Sequence, residues 1–115
     1  MNSLPIACKD AATTFLLARR AERLARPLVD MTGGAWDLSI TTRLGHSRFL
    51  NPWHISIDAF YTDGAEPIPG IVHMPFQEFG ISTSQQLEEV IEKMRRLVLL
   101  QVEATAKAGA DDAKD

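Results

Sequence analysis

His54, Ser56 and Asp58 are the residues of this chain whose types suggest chemistry, a base, a hydroxyl and a carboxylate in order, with His46 and His73 near enough in sequence to join them. Their spacing argues against a catalytic role. Alternate residues of a strand lie about 6–7 Å apart on one face and i,i+4 residues about 13 Å apart. His54 and Asp58 therefore cannot hydrogen-bond each other along a strand, whereas a nucleophilic triad needs base, nucleophile and orienting group within successive hydrogen-bond reach. A cross-strand pair such as His54 with His73 offers two ligands to a metal, but the spacing matches no known ligand set. Cys8 is the single cysteine, with no histidine close in sequence, and cannot form an internal disulfide. Gly33-Gly34 precedes a strand and not a helix, the reverse of a phosphate-binding glycine loop. No cofactor or metal motif is present, and the expectation is a protein that is not an enzyme.

A second kind of chemistry lies in the arginines. Arg19, Arg23 and Arg26 fall within two turns of one helical segment and suit phosphate or an acidic partner. Glu22 stands among them, placed to pair with Arg19 and Arg26 as on an ordinary solvated helix face. Phe15 lies on the same side, where the N-terminal lead would cover it. The chain has 115 residues, 45% hydrophobic content and a formal charge of −3, and that charge argues against a nucleic-acid binder driven by electrostatics alone. The N-terminus lacks the pattern of a secretion signal and no stretch is apolar enough to span a membrane, so the expected location is the cytoplasm.

The elements that must position these residues follow from periodicity. Residues 1–8 show no period and read as an irregular lead. From Lys9 to about Met31 a helix is expected, with Leu17, Ala21, Leu24, Ala25 and Leu28 facing inward and a kink or new turn at Pro27. Trp36, Leu38, Ile40, Thr42 and Leu44 alternate with Asp37, Ser39, Thr41 and Arg43, and Trp53, Ile55, Ile57, Ala59 and Tyr61 alternate with His54, Ser56, Asp58 and Phe60. The short connection GHSRFLNP makes these two strands antiparallel. After the turn-rich TDGAEPIPG, a third strand is expected over Ile71–Phe76, putting His73 on the polar face if Val72 and Met74 point inward, with Gln77–Ser82 as a link.

The last helix is the most strongly patterned element. Ser82 and Thr83 offer capping boxes, and Leu87, Val90, Ile91, Met94, Leu97, Val98 and Val102 form one stripe that Gln101 and Thr105 interrupt. Glu89–Lys93 and Glu92–Arg96 are spaced for ion pairs, and Gly109 offers a stop. Leu99 and Leu100 lie off the stripe. The tail 108–115, AGADDAKD, is expected to be disordered beyond a single domain spanning 1–107.

The pattern implies an α+β two-layer fold of order helix-strand-strand-strand-helix, a three-stranded antiparallel sheet flanked by an N-terminal and a C-terminal helix. The function expected first is a non-enzymatic interaction protein, an adaptor or inhibitor that occludes a protein partner, with self-association into a homodimer as one form. Its contact residues would come from Phe60, Arg43 and His54 on the sheet, Leu99 and Leu100 on the last helix, and Arg19, Arg23 and Arg26 on the first. The alternatives are nucleic-acid association through those arginines, joined by Arg95 and Arg96, and a small enzyme or metal site around His54.

Overall fold

A computed structural model describes residues 4–45 and 52–114. It contains α1 (Ala11–Asp30), β1 (Trp36–Leu44), β2 (Trp53–Tyr61), β3 (Phe76–Ile81) and α2 (Ser84–Lys114). The three strands form one antiparallel sheet in the order β1-β2-β3. This is the α+β arrangement the sequence implies.

β1 and β2 pair without irregularity from Trp36↔Tyr61 to Leu44↔Trp53. Period-two alternation then sets Leu38 beside Ala59 and Ile40 beside Ile57 on one face, and Ser39 beside Asp58 and Arg43 beside His54 on the other. Ile55, Ile57 and Ala59 of β2 are fully buried and belong to one core with Leu17, Ala21 and Ala25 of α1 and Leu87, Met94 and Val98 of α2. Alanines at positions 21 and 25 bring the backbone of α1 close to that core. Leu24, expected inside, is 40% exposed.

The third strand corrects the sequence reading. Ile71–Pro75 is irregular, with Val72 82% exposed, and β3 occupies Phe76–Ile81, the stretch expected to be a link. The alternation there is broken by a bulge. Ile55 pairs with Ile81 and Ile57 with Glu78, so one residue of β2, Ser56, stands against two of β3, Phe79 and Gly80, and the bulge is accommodated by Gly80 at φ +71°. Pro75 stands at the entrance of the strand, where its missing N–H costs no ladder bond.

The helix ends also differ from expectation in places. The carboxylate of Asp10 caps α1, accepting from the Thr13 N–H and hydroxyl, both at 2.8 Å, and these bonds hold it below the usual carboxylate range. α1 runs through Pro27 without a break to Asp30. The bond lost to proline falls near the end of the helix on an exposed flank, where water can serve the Arg23 carbonyl. Thr83 caps α2, its Oγ1 accepting from the Gln86 N–H at 3.1 Å while the Gln86 side chain accepts from the N–H groups of Ser82 and Thr83. The helix passes Gly109 and continues to Lys114, replacing the disordered tail expected from Ala108; Asp115 lies outside the described residues.

The lead is not irregular throughout. Ile6 and Ser84 exchange two bonds, Ser84 N–H to the Ile6 carbonyl at 2.8 Å and Ile6 N–H to the Ser84 hydroxyl at 2.9 Å, and Cys8 N–H donates to Ser82 at 2.8 Å. This ties Cys8, at the end of the lead, into the core at 1% exposure. Burial pushes its thiol up from the ordinary 9.0, against a smaller opposing effect of a hydrogen bond with Thr14. Because the folded thiol ionises later than the unfolded one, its contribution to stability is constant below the ordinary pKa and is lost as pH rises past it. The expected result is a urea midpoint that is flat near neutrality and drops above about pH 9, with the drop reduced in Cys8→Ala; an undiminished drop in the variant would assign it to other groups.

Candidate functional site

The sheet has one face against both helices and one that no described helix covers. On the uncovered face the period of two places Asp37, Ser39, Thr41 and Arg43 from β1 and His54, Ser56, Asp58 and Phe60 from β2. The same alternation, carried through the bulge, adds Gln77 and Phe79 from β3. This face is open at its edges and closed along its middle row. Phe60 is 39% and Phe79 58% exposed, yet Ser56 is fully buried and Asp58 only 8% exposed. An open row of Ser56 and Asp58 was expected, and the flanking strands explain the difference. Small side chains on a central strand are overhung by longer neighbours, as where Arg43 Nε reaches across to donate to the Ser56 hydroxyl at 3.2 Å.

These contacts separate the apparent Ser/His/Asp set. The Ser56 hydroxyl meets an arginine and not a base. His54 Nδ1 lies 2.9 Å from the Pro52 carbonyl, which can only accept, so Nδ1 carries the proton and faces its own strand's backbone. His73 lies on the irregular segment before β3, and the residue opposite His54 is Arg43. A cross-strand pairing of His54 with His73 is therefore not formed. No group of three His, Cys, Asp or Glu side chains that could hold a metal occurs among the described residues, and His46 lies outside them. The Oδ1 of Asp58 is different in kind: it is buried and has no hydrogen-bond partner among the described residues. A buried acceptor without a donor costs about 1–3 kcal/mol, more when charged, so it is a position from which the molecule gains by receiving one.

The second surface lies around the first helix. Of the arginines expected to act together, Arg26 is taken up by Glu22, with Nε 2.8 Å from its carboxylate oxygen. Arg19 does not share that acid and instead stands over the Phe15 ring at 5.9 Å. Phe15 is 56% exposed and is not covered by the described part of the lead. Arg19 and Arg23 point into a cleft of about 830 Å³ between α1, the lead and the start of α2, together with Lys9 and Arg20, which the sequence reading did not single out. Their signal was the spacing Leu16, Arg19/Arg20, Arg23, a helical stripe parallel to the core stripe.

α2 contributes apolar surface at its far half. Leu99 is 53%, Leu100 47% and Val102 38% exposed, so Val102 leaves the core stripe and Gln101, fully buried, joins it. Neither expected pair, Glu89–Lys93 or Glu92–Arg96, is made. Lys93 reaches Glu78 of β3 at 3.6 Å and Glu92 pairs with Arg95 at 3.5 Å. No described helix is long and apolar enough to cross a membrane.

Comparison of the chain with protein-family models, with curated proteins and with solved structures finds no match in any of the three.

Proposed function

We propose that the chain is a small non-enzymatic interaction protein, an adaptor or inhibitor that occludes a protein partner, and that the uncovered sheet face is its contact surface. The observation that supports this most is the buried, donorless Asp58 Oδ1 on the same face as two exposed phenylalanines, Phe60 and Phe79. Aromatic anchors around a few desolvated polar groups are the usual make-up of an interface centre, and a partner's N–H or cationic side chain would supply the missing bond. Arg43 and His54 extend the same face toward the β1–β2 end.

Tagged protein is used to capture partners from lysate of the source cell, with and without nuclease. The expected result is a protein bound in stoichiometric amount after nuclease treatment, its affinity reduced about thirtyfold or more by Phe60→Ser or Phe79→Ser, as for loss of a hot-spot side chain. A partner that binds both variants as tightly as the native chain would remove the sheet face from the reading.

The exposed pair Leu99 and Leu100 supports self-association as a separate contact. Light scattering of the native chain is expected to give a dimer mass that falls to the monomer in Leu99→Glu; a monomer in both would end that proposal.

A further inference from the structure

The cleft beside α1 gathers cationic side chains, two of which, Arg20 and Arg23, also line a smaller neighbouring pocket with Glu88 and Glu92. Four of the twelve lysines and arginines of an acidic chain, Lys9, Arg19, Arg20 and Arg23, line the cleft, and no carboxylate does among the described residues. None of the four has a carboxylate within 4 Å among the described residues, and the Arg20 Nε is buried without a hydrogen-bond partner. Apolar side chains accompany them. Leu16, on the same helical stripe of α1, is 53% exposed and Leu4 of the lead 81%, and Ile6 is held in the lining by its two bonds to Ser84. Those bonds, with the Thr83 cap, also use the Ser84 and Gln86 N–H groups at the start of α2.

We infer that this cleft is a docking site for an acidic segment of a protein partner, its carboxylates on Arg19, Arg20 and Arg23 and an aliphatic side chain against Leu4 and Leu16. This rests on the reading of the chain as an interaction protein and adds a second contact to it. Charge complementarity selects an acidic occupant. Shape and composition select a peptide over a nucleic acid. Aliphatic side chains of Leu4, Ile6 and Leu16 take part in the lining and, among the described residues, no aromatic one does, Phe15 under Arg19 lying outside it; the chain's net charge of −3 opposes a polyanion at long range.

The test is selection of short random peptides on the full chain, followed by anisotropy titration of a labelled representative. The expected result is enrichment of sequences combining Asp or Glu with Leu, Ile or Val. Their affinity falls about tenfold or more in Arg19→Gln/Arg23→Gln, two exposed positions whose change leaves the helical circular dichroism intact, and is unchanged in Phe60→Ser. Retention in Phe60→Ser separates this site from the sheet face, so either proposal can fail without the other. Enrichment of neutral or basic sequences, or acidic peptides bound equally by the double arginine variant, would overturn the inference. So would a single-stranded oligonucleotide that displaces the peptide and binds Leu16→Ser as tightly as the native chain, since that would make the occupant a nucleic acid.

Discussion

Met94→Ala is expected to destabilise the protein by about 2–5 kcal/mol, the cost of emptying a fully packed site in a core. Met94 has no exposure and sits midway along the buried run of α2, with Leu87, Val90 and Ile91 on one side of it and Val98 on the other. Those residues join the core formed with Leu17, Ala21 and Ala25 of α1 and Ile55 and Ile57 of β2. Truncation therefore opens a space inside that shared core, and alanines 21 and 25 have no longer side chains with which to fill it. A domain of this size holds about 5–15 kcal/mol in total, so the variant should keep its fold at low temperature with a urea midpoint well below the native one. Glu89→Ala, on the same helix but exposed and outside the proposed contacts, is the internal control and should shift the midpoint by less than about 0.5 kcal/mol in energy. Equal losses in the two variants would mean that Met94 does not occupy a packed core site.

The parts of this fold that were legible in the sequence are those where one period runs uninterrupted. β1 and β2 alternate apolar and polar residues over their whole length, and their register follows directly; α2 repeats its apolar residues from Leu87 to Val98 and carries its cap at Thr83. β3 was displaced because its pattern is interrupted twice. Gly80 inserts an extra residue, and Glu78 takes an inward position where it pairs with Lys93, so Phe76, Gln77, Glu78 and Phe79 do not read as a strand. Phe79 was missed as a surface residue for the same reason. Burial of Ser56 and Asp58 was not legible either, because it depends on which side chains from neighbouring strands lean over them and not on alternation. The arginines divided by geometry that a wheel does not contain: Arg26 found Glu22, while Arg20, unremarked in sequence, reached the cleft.

Gln101 is where pattern and structure give opposite expectations. By periodicity it interrupts an apolar stripe, and Gln101→Leu should complete the stripe and stabilise the helix. In the fold it is fully buried, and its amide is occupied at both ends. The indole N–H of Trp36 donates to its Oε1 at 3.0 Å, and its Nε2 donates to the Glu66 carbonyl and to the Thr105 hydroxyl. One side chain thus fastens α2 to the first residue of β1 and to the loop between β2 and β3. Leucine would leave the Trp36 N–H without an acceptor at a position 3% exposed, which costs about 1–3 kcal/mol, and the gain from an apolar side chain does not offset it because no water can replace the lost bond. The Glu66 carbonyl belongs to an exposed residue and recovers its bond from solvent. Gln101→Leu is therefore expected to lower stability, and the loss should be traceable to Trp36. On a Trp36→Phe background, which has no donor to strand, the same substitution should cost about 1 kcal/mol less, a coupling that a double-mutant cycle in urea reads directly. Stabilisation by Gln101→Leu, or a cost that is the same with and without the indole N–H, would show that the stripe and not the amide clamp governs this end of the core.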